Sequence, residues 1–332
     1  MQHWMRLYFQ LPLFIRLFST VIVFMIFFGI IIHTIEPHNF PTLFDGIWWA
    51  FVTGATVGYG DYVPLSTAGK ITAIFLILTG GGLVTFYMAT LSAATVQHER
   101  NLSRGKVDFK GKEHIILIGW NERTRQLIEM MTENKCHEYI VLIDRSMKKL
   151  YENHSNVHFI HGDATMEETL NKANVKDAKT AIVTADPSKA EHEADQSVIH
   201  QLVSLKGHNS HLFIIAEVLT DKQKINAERA GADRVIRSND FMSSLFYHEL
   251  FHTDPGEPFQ LLLDLLTSRQ FHEEAVPTEL EDQLVEDAVT YYLKKGSVVI
   301  GYRANQTAHF ILEPSLPLTK VQTLILLIPL RT

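Results

Sequence analysis

Three groups of residues have the types and spacing to do chemistry. His248-Glu249-Leu250-Phe251-His252 is a literal H-E-x-x-H. On a helix its two imidazoles share one face and can hold zinc, with the glutamate placed as a general base. Gly119-Trp120-Asn121-Glu122-Arg123-Thr124, with Asp144 standing 25 residues after Gly119, has the outline of a dinucleotide turn. Only the first of three glycines is kept there. Trp120 and Asn121 obstruct the close backbone approach that a pyrophosphate needs, so a structural turn or a smaller ligand fits better. The third group, Thr56-Val57-Gly58-Tyr59-Gly60-Asp61, carries its chemistry on the main chain. It closes a segment, residues 40–62 (FPTLFDGIWWAFVTGATVGYGDY), that is too apolar for an exposed loop and too short to cross a bilayer twice. A half-length helix that enters and returns solves both problems. Pro41 pre-sets its start, and Leu43–Thr53 is the expected helix. Non-helical backbone at membrane depth is tolerated only against protein or a wet cavity, so residues 56–60 must line something wet.

The elements that hold these residues divide in two. Residues 1–113 carry 8 Lys/Arg and 6 Asp/Glu, a net of +2, and residues 114–332 carry 22 and 31, a net of −9. An apolar N-terminal third precedes an acidic, soluble remainder. That excludes a wholly soluble or disordered chain, and the acidic balance excludes a nucleic-acid binder. The single cysteine, Cys136, excludes a disulfide framework and fits a reducing compartment. LFSTVIVFMIFFGIII, from Leu17 to Ile32, has no charge and reads as a membrane span; its length and the missing cleavage site argue against a signal peptide. Ile71 to Gln97 is the second uncharged span and contains Gly80, Gly81 and Gly82. Small residues in lipid allow close packing or a bend. Arg6 and Arg16 precede the first span, and Arg100, Arg104, Lys106, Lys110 and Lys112 follow the second. The positive-inside rule therefore places both termini in the cytoplasm of a multi-pass cell-membrane protein surrounded by lipid.

Thr56-Val57-Gly58-Tyr59-Gly60-Asp61 resembles, at every position, the selectivity filter of the potassium channels. The resemblance implies that the carbonyls of Thr56, Val57, Gly58, Tyr59 and Gly60 point inward and replace the hydration shell of K+, the permeant ion. Gly58 and Gly60 would supply the left-handed backbone this needs. It implies that Trp48 and Trp49 on the pore helix support the filter, and that Asp61 braces its outer mouth. It also implies a homotetramer, because each chain offers one strand of a four-fold ring, and a gating hinge at Gly80.

Beyond a polar linker, apolar β-branched runs alternate with helices: His114–Gly119, Tyr139–Asp144, Val157–His161, Thr180–Thr184 and Leu212–Glu217 are expected strands, and Glu122–Glu133 a helix. That order implies a parallel sheet covered on both faces, a Rossmann-like unit. His161-Gly162-Asp163-Ala164-Thr165, Ala230-Gly231-Ala232-Asp233-Arg234-Val235 and Gly119-Trp120-Asn121-Glu122 resemble segments of the RCK (KTN) domain, the regulator of potassium conductance. Thr165 with Glu168 also reads as a capping box opening the next helix. In calcium-gated members two acids stand at i and i+2 where the fifth strand ends. Here the first is Glu217 but the second position is Leu219, so too few oxygens are in register for calcium.

The expected fold is therefore a membrane α-helical pore, with two spans and a re-entrant pore helix, joined to an α/β Rossmann-like RCK domain with a small α+β C-terminal lobe. Expected boundaries are 1–98 for the pore, 99–113 for the linker, 114–256 for the Rossmann-like lobe and 257–332 for the C-terminal lobe. The expected function is passive, ligand-gated K+ conduction, not enzymatic catalysis. Gly119, Asn121, Asp144, Asp163 and Glu217 are candidate positions for the regulatory ligand, a divalent cation or a nucleotide. Subunits would meet through pore and RCK domains, with further RCK assembly open. The rival function is a membrane-anchored zinc metalloprotease built on His248 and His252. With 17 histidines in the chain, an i, i+4 pair arises by chance.

Overall fold

The computed structural model describes residues 12–134, 136–150, 156–251, 258–310 and 313–330. They cluster into two compact units, one drawn from Met1–Phe109 with Asp144–Gly162 and the other from Lys110–Ile143 with Asp163–Thr332.

The first unit contains three helices, α1 (Leu13–Ile35), α2 (Leu43–Gly54) and α3 (Thr67–Ser103). α1 and α3 are long and apolar enough to cross a membrane. At about 1.5 Å per residue, the 23 residues of α1 reach roughly 34 Å, against a hydrocarbon core of about 30 Å. Met25, Phe28 and Ile32 of α1, Trp49 and Ala50 of α2, and Leu76 of α3 form one buried cluster with Phe40. The opposite faces leave Val23, Phe27, Ile74, Phe75 and Leu78 exposed, a surface suited to hydrocarbon or to other subunits. α3 runs past Gln97 to Ser103, so the first residues of the expected polar linker are helical.

The Rossmann-like sheet has six strands in the order β3-β2-β1-β4-β5-β6. These are β1 (Ile115–Ile118), β2 (Ile140–Asp144), β3 (Val157–His161), β4 (Thr180–Val183), β5 (Phe213–Val218) and β6 (Arg234–Arg237). The pairings that join β2, β1, β4, β5 and β6 are parallel. Every residue of β2 is buried, as a two-sided apolar strand requires. Between strands run α4 (Glu122–Glu133), α5 (Glu167–Lys172), α6 (Glu191–His208) and α7 (Lys224–Arg229). α8 (Ser238–Phe251) follows β6 directly, and α9 (Pro258–Ser268) comes next. The expected capping box at Thr165 is not formed. Met166 is the N-cap of α5 with no side-chain bond, and the Thr165 hydroxyl donates to Asp163 instead. The two-residue Asx turn has captured that hydroxyl.

The C-terminal part is a four-stranded antiparallel sheet ordered β7-β10-β8-β9: β7 (Arg269–Ala275), β8 (Val298–Ala304), β9 (Thr307–His309) and β10 (Thr323–Pro329). With α10 (Val285–Lys294) it encloses its own core around Val285, Tyr292, Val299 and Leu324.

Candidate functional site

The segment after α2 has a left-handed backbone at every second residue. Thr56, Gly58 and Gly60 have φ of +60°, +62° and +75°. A peptide chain alternating between left- and right-handed conformations turns successive carbonyls toward one side. A Cβ added at Gly58 or Gly60 would meet nothing within 4 Å, so conformation rather than space calls for glycine there. Thr56 takes the same region at a cost of about 1–2 kcal/mol. Three amides tie it to the helix end: Thr56 N donates to Thr53 O (3.0 Å), and Val57 N and Gly58 N both donate to Val52 O (3.0 and 3.2 Å).

Behind this segment the aromatic residues are in contact. Trp48 stacks on Tyr59 with centroids 6.1 Å apart and planes 9° off parallel. Trp48 Nε1 donates to Asp61 Oδ2 at 2.7 Å. Trp49 is buried and meets Phe40 edge-on at 5.5 Å. Gly80 is buried in an unbroken α3, where an added Cβ would stand 3.0 Å from Leu76 and 3.5 Å from Met25.

Two carboxylates that sequence reasoning passed over also hold this region. Asp45 forms a capping box with Thr42 at the start of α2 and accepts from Tyr62 Oη at 2.9 Å. The Thr42-x-x-Asp45 spacing was the available signal. Glu36, one residue beyond α1, accepts from Leu65 N (3.0 Å), Ser66 N (2.8 Å), Ser66 Oγ and Asn39 Nδ2 (2.7 Å). Ser66 in turn caps α3 through Gly69 N. Burial alone would raise the Glu36 carboxyl, but the Ser66, Asn39 and backbone donors hold it down to about 2. No sequence spacing announces this pairing, because its partners are 29 and 30 residues away.

In the Rossmann-like sheet the order reverses between β1 and β4, the place where such sheets open a crevice at the carboxyl ends of their strands. Gly119 follows β1, and a Cβ there would stand 2.8 Å from Thr184 Oγ1. Asn121 caps α4. Its side-chain oxygen accepts from Thr124 N (3.2 Å) and its amide donates to Thr184 Oγ1 (2.9 Å). That capping bond spends one of the free N–H groups an anion would use. Glu217, at the end of β5, accepts from Ala185 N at 2.9 Å and pairs with Arg123 Nε at 3.2 Å. Asp144 ends β2 and accepts from Ser146 N (2.7 Å) and Met147 N (2.6 Å). Asp163 accepts from Thr165 N at 2.9 Å. Asp144 and Asp163 thus each close a local turn, whatever else they bind.

The H-E-x-x-H segment is only partly described: His248 and Glu249 lie on α8, and His252 falls outside the described residues. His248 and Glu249 line a groove of about 640 Å³ with Phe241, Leu245, Phe259 and Leu262, an apolar setting for a hydrolytic centre. Among the described residues no three His, Cys, Asp or Glu side chains gather to hold a metal.

Residues 20–97 match the ion-channel domain and residues 115–238 the TrkA-N domain. The chain is 40% identical over 298 residues to the putative potassium channel protein YugO of Bacillus subtilis, covering 89% of this chain and 90% of that one. It is 31% identical over 231 residues to the calcium-gated potassium channel TvoK of Thermoplasma volcanium, covering 69% and 65%. The solved GsuK channel superposes with a TM-score of 0.54 at 18% identity, over 94% of this chain and 56% of that chain, a likeness of fold. The chain thus spans just under two thirds of TvoK and little more than half of GsuK. Ion channels are not enzymes, and none of these relatives favours the protease reading. Matched along nine-tenths of YugO and carrying both domains and two membrane-length helices, the chain is a membrane protein of the prokaryotic potassium-channel family that joins an ion-channel pore to a TrkA-N (RCK) domain.

Proposed function

We propose that the chain is one subunit of a homotetrameric, potassium-selective channel gated by a ligand on its cytosolic RCK domains. The observation that carries this is the alternation of positive φ at Thr56, Gly58 and Gly60 within a T-V-G-Y-G sequence. Four such strands around one axis present rings of carbonyls that replace water around K+. Val52 O already accepts two amides at the carboxyl end of α2, and the negative end of that helix favours a cation nearby. The Trp48–Asp61 bond and the Trp48–Tyr59 stack support the strand from behind, and buried Trp49 anchors the helix.

The pore comprises residues 1–98 and the linker 99–113. Residues 114–256 and 257–332 form the two RCK lobes, and both termini face the cytoplasm of the cell membrane. The regulatory ligand is a nucleotide held through its base and ribose, since Trp120 and the Asn121 cap leave the turn after β1 poorly suited to a pyrophosphate; NAD is the ligand named for a solved form of GsuK, which shares this fold. It binds where Gly119, Asn121 and Glu217 stand at the ends of β1 and β5, with Asp144 and Asp163 closing the turns after β2 and β3. Gating bends α3 near Gly80.

The test is rubidium uptake into vesicles containing the full chain, with NAD added on the RCK side. Uptake above empty vesicles, lost in Gly58→Ala and changed at least about twofold by NAD, is expected. Uptake equal to empty vesicles would remove the conduction claim. Uptake indifferent to NAD would remove the nucleotide.

A further inference from the structure

We propose that Arg123 is a tethered cation that reserves the Glu217 carboxylate and so keeps divalent metal ions out of the crevice at the ends of β1, β4 and β5. Glu217 is 7% exposed. Its Oε2 takes the Ala185 amide at 2.9 Å and faces Arg123 Nε at 3.2 Å, while Arg123 Nη2 donates to Ala185 O at 2.8 Å. The guanidinium therefore grips the carboxylate and the adjoining main chain together. Glu217 Oε1 is buried and meets no hydrogen-bond partner among the described residues.

A buried carboxylate with an unfilled oxygen attracts a cation unless one is already present. Here one is. A divalent ion at Oε1 would meet the fixed positive charge of Arg123 at close range. It would also find few spare oxygens. Thr184 Oγ1 already accepts from Asn121 and donates to Ile118 O, and the residue two beyond Glu217 is Leu219. Calcium asks for six to eight. What suits Oε1 is a neutral donor, such as a hydroxyl or aromatic amino group of a ligand, or a water. Arg123 thus sets the charge class this crevice accepts. Its side chain is 47% exposed, so it is open to replacement without opening a cavity.

The proposal rests on the regulatory reading only in placing a ligand crevice here. Its test reads metal binding and not flux, so the two fail separately. Full-length protein in detergent micelles is dialysed against radioactive calcium, and melting is followed with calcium or magnesium chloride against choline chloride at equal ionic strength. Wild type should show no Glu217-dependent calcium binding and no divalent shift in melting. Arg123→Gln should bind calcium at least about tenfold more tightly than wild type, though weakly in absolute terms, because water must supply most of the ligand oxygens. Adding Glu217→Gln should erase the gain, and Arg123→Lys should behave as wild type. Calcium binding by wild type that Glu217→Gln abolishes would overturn the proposal. So would a folded Arg123→Gln with no gain, or a gain that survives Glu217→Gln. If Arg123→Gln aggregates in plain buffer, rescue by calcium supports the proposal. Aggregation regardless of calcium marks an ordinary structural pair and overturns it.

Discussion

Asp233 closes the Ala-Gly-Ala-Asp stretch by gripping a neighbouring strand. Its Oδ2 accepts from Ile214 N at 2.8 Å and from Lys206 Nζ at 3.0 Å, and its own amide donates to Ile214 O at 2.8 Å. Burial alone would raise its carboxyl, but the Ile214 amide and Lys206 hold it below the ordinary value. A depressed folded-state pKa gives stability that is complete above the unfolded value, about 3.9, and is lost as pH falls through the folded one. Asp233→Asn should therefore lower the melting temperature at neutral pH, by the equivalent of about 1 kcal/mol or less, since asparagine keeps an acceptor for the Ile214 amide and solvent screens the partly exposed Lys206 pair. The gap to wild type should shrink steadily below about pH 4, and melting curves across that range check it. Glu36 behaves alike where α1 ends and α3 begins. Glu36→Ala strands the Leu65 and Ser66 amides and should cost about 2–4 kcal/mol in micelles. Gly69→Ala should match it in direction, since its Cβ would collide with the Glu36 carboxylate. Retained melting temperature in both variants would deny Glu36 that role.

At the scale of elements, α3 does not fade into a loose tether. Just past Ser103 the chain lies along β3. Ser103 O accepts from Leu150 N (2.8 Å), Gly105 O from His161 N (3.0 Å), and Val107 O meets His158 Nε2 at 2.7 Å. Phe109 packs on the His158 ring at 5.3 Å. Gly105 has φ +66°, and a Cβ there would collide with the His161 amide. Gly105→Ala should therefore uncouple the end of α3 from β3. The expected result is rubidium uptake that persists but no longer responds to the ligand. An unchanged ligand response would show that coupling runs elsewhere. Elements with a strong local signal were legible in the sequence: the two spans, α4 at Glu122–Glu133, and β3 at Val157–His161. The short or polar strands β6, β7 and β9 were not, because RVIR, RQFHEEA and TAH carry no apolar run and owe their state to pairing. The positive φ values at Gly58 and Gly60 were legible from residue type, whereas Thr56 in the same region was not. The Arg123–Glu217 pair escaped because it joins residues far apart in sequence that only sheet order brings together.

For the whole molecule, one chain brings a single copy of the segment 56–60, and its Val57 and Tyr59 are exposed. α1 and α3 likewise leave large apolar faces uncovered. Four copies around an axis would supply both a lipid-facing exterior and a closed ring of carbonyls, so the full chain should migrate as a tetramer in mild detergent by mass photometry. A monomer there would leave the carbonyl ring incomplete. Whether main-chain oxygens of residues 56–60 discriminate between bare ions is read most directly from the reversal potential across a planar bilayer with potassium on one side and sodium on the other. Reversal should lie far toward the potassium equilibrium value, collapsing toward zero or losing current altogether when Gly58 is replaced by alanine. A reversal near zero in the unmodified protein would contradict such discrimination.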